Sequence, residues 1–266
     1  MGPALPTFDT VLLERRDRLL TITLNRPEAL NAFDKAMHDE LPDALDFAGS
    51  DLGSDVVVLT GAGRVFSAGG DLALMEQGLA DPDGFAHQAR HGKRIVTSLL
   101  DIDKPVVCRM NGHAVGLGAT IALLCDVIFS DRDARIGDPH VRVGLVAGDG
   151  GAVVWAQRVG LARAKELLLS GELISADRAA EIGLINHALP TAELDAAVEA
   201  FCRRMLDGAP LALRWTKLLT NLELKRLVVA VMDAGLAYEG LTMRSADHRE
   251  GVAAIREKRK PRFTGR

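Results

Sequence analysis

The chain has 266 residues, is 48% hydrophobic and 26% charged, and carries a formal net charge of −4. That is ordinary globular composition, long enough to bury a substantial core, and the acidic balance gives no general electrostatic reason to bind nucleic acid or a membrane surface. Aromatic residues make up 4%, too few for a stacking platform along a single strand.

Cys108, Cys125 and Cys202 are odd in number and form no CxxC pair. That argues against a disulfide framework and against a zinc site, and no metal site is read from the sequence. Each cysteine is expected to be a small buried hydrophobe. The stretch MGPALPTFDTVLLERR has no basic n-region followed by an apolar run, so no signal peptide is expected. No apolar run reaches about 18 residues, so no transmembrane helix is expected. A reducing cytoplasm is the expected compartment.

FDTVLLER and RLLTITLN read as two strands flanking the polar turn RRD. NRPEALNA breaks the second. Asp34 to Phe47 follows as a helix with Met37, Leu41 and Leu45 on one face, although Pro42 argues against regularity in its middle. DVVVLTG, residues 55–61, is a short continuous apolar run closed by glycine, the pattern of a strand buried on both faces. A helical stretch near 84–100 leads to PVVCRMNG, another buried strand. GLGATIALLCD is then an apolar helix and DVIFSD a strand. Strands alternating with helices predict an α/β fold with a largely parallel sheet. From about Thr191 the strands stop, and TAELDAAVEAFCRRMLDG, LALRWTKLL and Leu222 to about Arg256 all read as helix. The expected organisation is an α/β core over 1–194 that holds the functional site and a helical C-terminal region over 195–266 that packs on the core or on another subunit.

Three glycine-rich stretches stand out: GAGRVFSAGGDL (61–72), NGHAVGLGAT (111–120) and IGDPHVRVGLVAGDGG (136–151). The first two lie where a strand gives way to a helix. Such a junction presents free backbone N–H groups and the positive end of a helix dipole, and two junctions could converge on one oxygen as an oxyanion hole. Glycine-rich turns are also common as plain structure. Neither a full G-x-G-x-x-G fingerprint nor a Walker A loop is present.

ITLNRPEALNAF, FSAGGDL, NGHAVGLGATIALLCD, GDPHVRVGLVAGDGG, GLINHALP and EGVAAIREKRKPRF occur in that order. Together they resemble the crotonase (enoyl-CoA hydratase/isomerase) superfamily over about Phe8 to Phe263. The resemblance implies a spiral of ββα units with a helical C-terminal region, assembled as a homotrimer or a dimer of trimers, acting as a lyase or isomerase on an acyl-CoA thioester. Coenzyme A is then part of the substrate and no separate cofactor is implied. Motif matching places the two oxyanion N–H donors at Gly70 and Leu117. It places coenzyme A along Pro27–Ala32, with Ala29 and Leu30, and along Ala68 and Gly70. It sends Lys258, Lys260 and Phe263 toward the phosphates and adenine, of this subunit or a neighbour. Terminal basic residues also simply solvate a helix end.

The family's hydratases use two glutamates to position and deprotonate a water. At the matching positions this chain has Thr120 and His140, with the twenty-residue spacing intact. A threonine hydroxyl cannot serve as a base near neutral pH, though it can hydrogen-bond; histidine can serve as one. Asp149, in the GDGG turn, is the other candidate acid/base. An aspartate before Gly-Gly also commonly holds its own turn, and a lone histidine is commonly satisfied locally, so both readings stay open. Asp71 reads as a helix cap, Asp126 as core support, and Asp138, before proline, as a turn residue. Two functions follow: an enzyme stabilising a thioester enolate, with simple hydration disfavoured, or a crotonase-like acyl-CoA binder with little or no catalysis. The related Clp-type protease reading fails, since neither Ser67 nor Ser98 has a nucleophile context. The acyl group is expected to meet the irregular segment from about Leu72 to His91.

Overall fold

The computed structural model describes residues 2–81 and 84–266, without the side chain of Ala80. In chain order it contains β1 (Val11–Arg16), β2 (Leu19–Leu24), α1 (Lys35–Ser50), β3 (Val56–Gly61), α2 (Leu72–Ala80), α3 (Phe85–Asp101), β4 (Val106–Met110), β5 (Ala114–Val115), α4 (Leu117–Leu124) and β6 (Val127–Asp131). There follow β7 (Arg135–Gly137), α5 (Gly151–Ser170), β8 (Leu173–Ser175), α6 (Ala176–Glu181), β9 (His187–Leu189), α7 (Thr191–Leu206), α8 (Pro210–Met243) and α9 (Ala246–Arg256).

The main sheet runs β1-β2-β3-β4-β6-β9, antiparallel at its first pair and parallel thereafter. β3 is buried at every position, as its unbroken apolar run predicts. Its alternation sends Val57 and Leu59 into the large core with α1, α3, α4 and α5. Val56 and Val58 go to a smaller core with Leu194, Val198 and Cys202 of α7. A second sheet, β5-β7-β8, holds the loop after β5 against the strand before the His140 turn.

The structure departs from the sequence reading in instructive places. α1 runs straight through Pro42, because Met37, Leu41, Ala44 and Leu45 bury beside it; packing of that face outweighs a helix-interior proline, which costs about 3 kcal/mol. The segment from Leu72 to His91, expected to be irregular, forms α2 and the first turns of α3, while Pro82 and Asp83 lie outside the described residues. The helix expected from Leu222 to Arg256 is two: Ser245 accepts from the His248 N–H and starts α9 afresh. All three cysteines are free and buried, and burial pushes the Cys108 thiol well up. Among the described residues, no helix is long and apolar enough to cross a membrane.

Candidate active site

The two glycine loops are stitched to each other. The Ser67 N–H donates to His113 O (3.1 Å), and the Val115 N–H donates to Ser67 O (3.0 Å). A Cβ on Gly69 would stand 2.6 Å from Val115 O, and one on Gly118 would stand 2.6 Å from Ser67 Cβ. Glycine is therefore what lets the loops touch. Gly116 sits at φ 54°, ψ −124° as the residue before α4, a conformation that strains any side-chain-bearing residue.

Gly70 and Leu117 both line the same cavity. Phe33 donates to Gly69 O (2.8 Å) and accepts from the Asp71 N–H (3.2 Å). That bracketing leaves the N–H of Gly70 facing away from Phe33. Leu117 is the first residue of α4, so its N–H has no carbonyl one turn earlier to use. Leu30 O accepts the Ala68 N–H at 3.0 Å, which brings Ala29, Leu30 and Ala68 onto one edge beside Gly70. Leu30 and Asn31 lie at φ 55° and 52°, and the buried Asn31 holds the bend by donating to Ala62 O and Val65 O, each at 2.8 Å.

The same cavity takes His140 and Asp149 on one side. Leu74 and Met75 of α2, with Phe85, Gln88 and Ala89 of α3, form a wall, inside the segment expected to meet the acyl group. The cavity encloses about 660 Å³, its open mouth included. His140 opens a single 3-10 turn, His140–Val143, and its ring lies across Gly116, 3.5 Å from where a Cβ there would be.

Asp138 does more than fix a turn. Its Oδ1 accepts from the His140 backbone N–H (3.3 Å) and pairs with His140 Nδ1. His140 Nε2 is 3.7 Å from Asp149 Oδ2. Asp149 Oδ1 in turn accepts from the Gly151 N–H (3.2 Å) and from Thr120 Oγ1 (3.4 Å). Asp149 thus holds its turn and reaches the cavity at once, and His140 is both locally satisfied and open to the cavity. The Gly-Gly that follows is spatially required: Gly150 sits at φ +107°, and a Cβ on Gly151 would collide with Asp138 Oδ2.

A fourth ionisable group escaped the sequence reading. Glu239 of α8 is buried, lines the cavity, and has one carboxyl oxygen without a hydrogen-bond partner. Burial pushes its carboxyl up to about 8. Burial alone would push the His140 imidazole down, but Asp138 and Asp149 outweigh it and hold it well above 6.5. Burial raises Asp149 above the usual carboxylate range, against the pull of His140. Glu239 did carry a signal: Met232, Leu236, Glu239 and Met243 follow one another at helical spacing and are all buried, so an acid stands at a core position of α8.

The remaining candidates fall as follows. Asp71 caps α2, accepting from Ala73 and Leu74, and pairs with Arg26. Asp126 accepts from the Val106 N–H and pairs with Lys217 at 2.8 Å, which is core support. Lys258, Lys260 and Phe263 lie on a C-terminal tail outside the cavity lining. The tail folds back on α9, where Asp247 accepts from the Thr264 and Gly265 N–H groups and Glu250 binds Arg259 and the Arg262 N–H. Among the described residues, two trios bring potential metal-ligand atoms within 4.8 Å of one another: Asp138, His140 and Asp149, and Asp39, His87 and His91.

The family model described as enoyl-CoA hydratase/isomerase matches residues 14–266. The chain is 34% identical over 261 residues to a 2,3-dehydroadipyl-CoA hydratase of Escherichia coli, covering 96% of this chain and 99% of that protein. It is 35% identical over 253 residues to a 1,2-epoxyphenylacetyl-CoA isomerase of the same organism, covering 93% and 95%. A crystal structure of an enoyl-CoA hydratase/isomerase from Mycobacterium paratuberculosis superposes with a TM-score of 0.88 at 37% identity, over 92% of this chain and 98% of that one. The α/β fold with a helical C-terminal region is that of these crotonase-type enzymes.

Proposed function

Because the chain belongs to the enoyl-CoA hydratase/isomerase family, we propose that it moves a proton on an acyl-CoA thioester through an enolate, shifting a double bond in preference to adding water. The observation that carries the reading is that Gly70, Leu117, His140 and Asp149 share one cavity. The Gly70 and Leu117 N–H groups hold the thioester oxygen as it gains charge. The Asp149 carboxylate removes a proton from the α carbon. His140, whose charged form Asp138 and Asp149 favour, returns one to the γ carbon as the double bond moves. Transfer between Asp149 and His140 then restores both. Asp138 orients the ring through Nδ1, and Glu239, its carboxyl pushed up to about 8 by burial, presents a protonated carboxyl to the same chamber at neutral pH. Coenzyme A lies along Ala29, Leu30 and Ala68 as part of the substrate, with no other cofactor.

Hydration is disfavoured because Thr120 stands where the family's hydratases carry a glutamate, and its hydroxyl is spent on Asp149. Steady-state assays of crotonyl-CoA hydration and 3-enoyl-CoA isomerisation test the reading. Isomerisation is expected to exceed hydration and to collapse in His140→Ala and Asp149→Asn. Unchanged activity in both variants rejects the acid/base roles. The same substitution at Thr120 favours a second reading, an acyl-CoA binder; tight binding by calorimetry with no turnover across a thioester panel would select it.

The helical C-terminal region serves assembly as a homotrimer or dimer of trimers. Leu211, Trp215, Leu219 and Leu222 form an exposed apolar stripe along α8 that a second copy would cover. The chain works on a small-molecule substrate, without nucleic acid or membrane, and its three free thiols suit a reducing cytoplasm.

A further inference from the structure

We propose that Asp39, His87 and His91 form a binding site for a borderline divalent cation, of which Zn²⁺ is the type, at the rim of the acyl cavity. None of the three takes part in the chemistry above. His87 and His91 are spaced i, i+4 on α3 and so stand on one face. Asp39 comes from α1, the helix packed beside them. His87 Nε2 is 3.0 Å and His91 Nδ1 3.3 Å from Asp39 Oδ1, and the two rings lie 4.2 Å apart at 33°. Donors around a tetrahedral zinc with bonds of about 2.0–2.1 Å stand about 3.4 Å apart. The three ligand atoms already lie within 4.8 Å of one another, so rotation of side chains closes the site without moving either helix.

His91 Nδ1 is buried and has no hydrogen-bond partner despite its closeness to Asp39. A buried ring nitrogen left unused is a loss that a metal bond would remove. His87 and Asp39 remain partly exposed on their outer sides, so a cation can enter and keep water on its open position. Two imidazoles with one carboxylate suit Zn²⁺, Co²⁺, Ni²⁺ or Cu²⁺, whereas Mg²⁺ and Ca²⁺ require oxygen donors.

The charges around the site set its strength. Lys35 pairs with Asp39 Oδ2 at 2.5 Å and opposes a cation. A bound cation would tie the start of α3 to α1. That stretch of α3 presents Phe85, Gln88 and Ala89 to the acyl cavity, so occupancy would stiffen a wall of the substrate site.

The test is titration of the chelator-treated full chain with Zn²⁺ by calorimetry, and with Co²⁺ followed by its visible absorption. One saturable site per chain is expected. His87→Ala and His91→Ala should each weaken it at least about tenfold, since even outer-shell changes cost 10–100-fold. Lys35→Met should tighten it. Circular dichroism confirms folding, and Asp39→Asn gives an independent ligand loss. No saturable binding would overturn the proposal. So would binding that survives both histidine variants but is lost in His140→Ala, which would place the cation on the Asp138 trio. Neither result bears on thioester turnover, which is assayed without added metal.

Discussion

The loops carrying Gly70 and Leu117 and the turn carrying His140 and Asp149 face one cavity, but the loops offer backbone to it and the turn offers side chains. In the loops the atoms proposed to act are N–H groups, and glycines whose missing Cβ atoms let two backbones meet hold them there. At Leu117 the side chain packs into the core, and the proposed role falls to its N–H alone. In the turn, the groups proposed to act are two acids and one imidazole, with Asp138 and Asp149 together favouring the charged form of His140. A backbone device keeps its chemistry when the sequence drifts. A side-chain device changes its chemistry with each substitution, which is how one oxyanion hole can serve different proton transfers.

The contrast can be broken from either side. The largest effect is expected on the side-chain half: Asp149→Asn or His140→Ala should lower isomerase kcat/KM by about 10²–10⁴, the usual span for a lost general acid or base, with acyl-CoA binding by calorimetry nearly unchanged. Equal losses in binding and turnover would contradict that division. On the backbone half, Gly116→Val forces a β-branched residue into positive φ and toward the His140 ring. Turnover should fall by about 10²–10³, the loss expected for one oxyanion donor, with circular dichroism retained.

Asp138→Asn sharpens the coupling within the turn. It removes the first of the charges that hold His140 well above 6.5, so the limb of the kcat/KM–pH profile that reports His140 should move to lower pH, with about a tenfold loss at neutral pH. A folded-state rise on a histidine stabilises the fold fully below about 6.5, and that stability fades as pH passes the raised value. Asp138→Asn should therefore shrink the acid-side Tm advantage, readable by calorimetric melting across pH.

Glu239 works in the same direction. A carboxyl raised from 4.5 to about 8 leaves the folded state holding an extra proton between those values, so stability declines as pH rises through that window. Glu239→Gln should flatten the decline and raise Tm at alkaline pH. The smallest effect belongs to Thr120→Val. It removes one long hydrogen bond to Asp149 and should change kcat/KM by less than about threefold.

The two halves also differed in how far the sequence disclosed them. Glycine at 69, 70, 116 and 118 is a direct record of backbone geometry, so the loops could be located and their convergence anticipated. The pairing of β5 with β7 and of β7 with β8, strands of two and three residues, left no periodicity to read, yet it is what sets the His140 turn against the second loop. His140, Asp149 and Thr120 were visible as residues, but their contacts were not, because Asp138 and Asp149 are eleven residues apart in chain and are brought together only by the 3-10 turn at His140–Val143 and the loop that follows it. Glu239 lay beyond reach without the fold. An acid among Met232, Leu236 and Met243 says that something buried must answer it, but not what. The histidines at 87 and 91 were likewise spaced for a shared helix face, and only the packing of α1 supplied the carboxylate.

Gly151 sets what the acid cluster tolerates from a distance. A Cβ there would collide with Asp138 Oδ2, so any other residue has to push that carboxyl aside. The same carboxyl pairs with His140 Nδ1, so position 151 governs the imidazole's orientation without touching it.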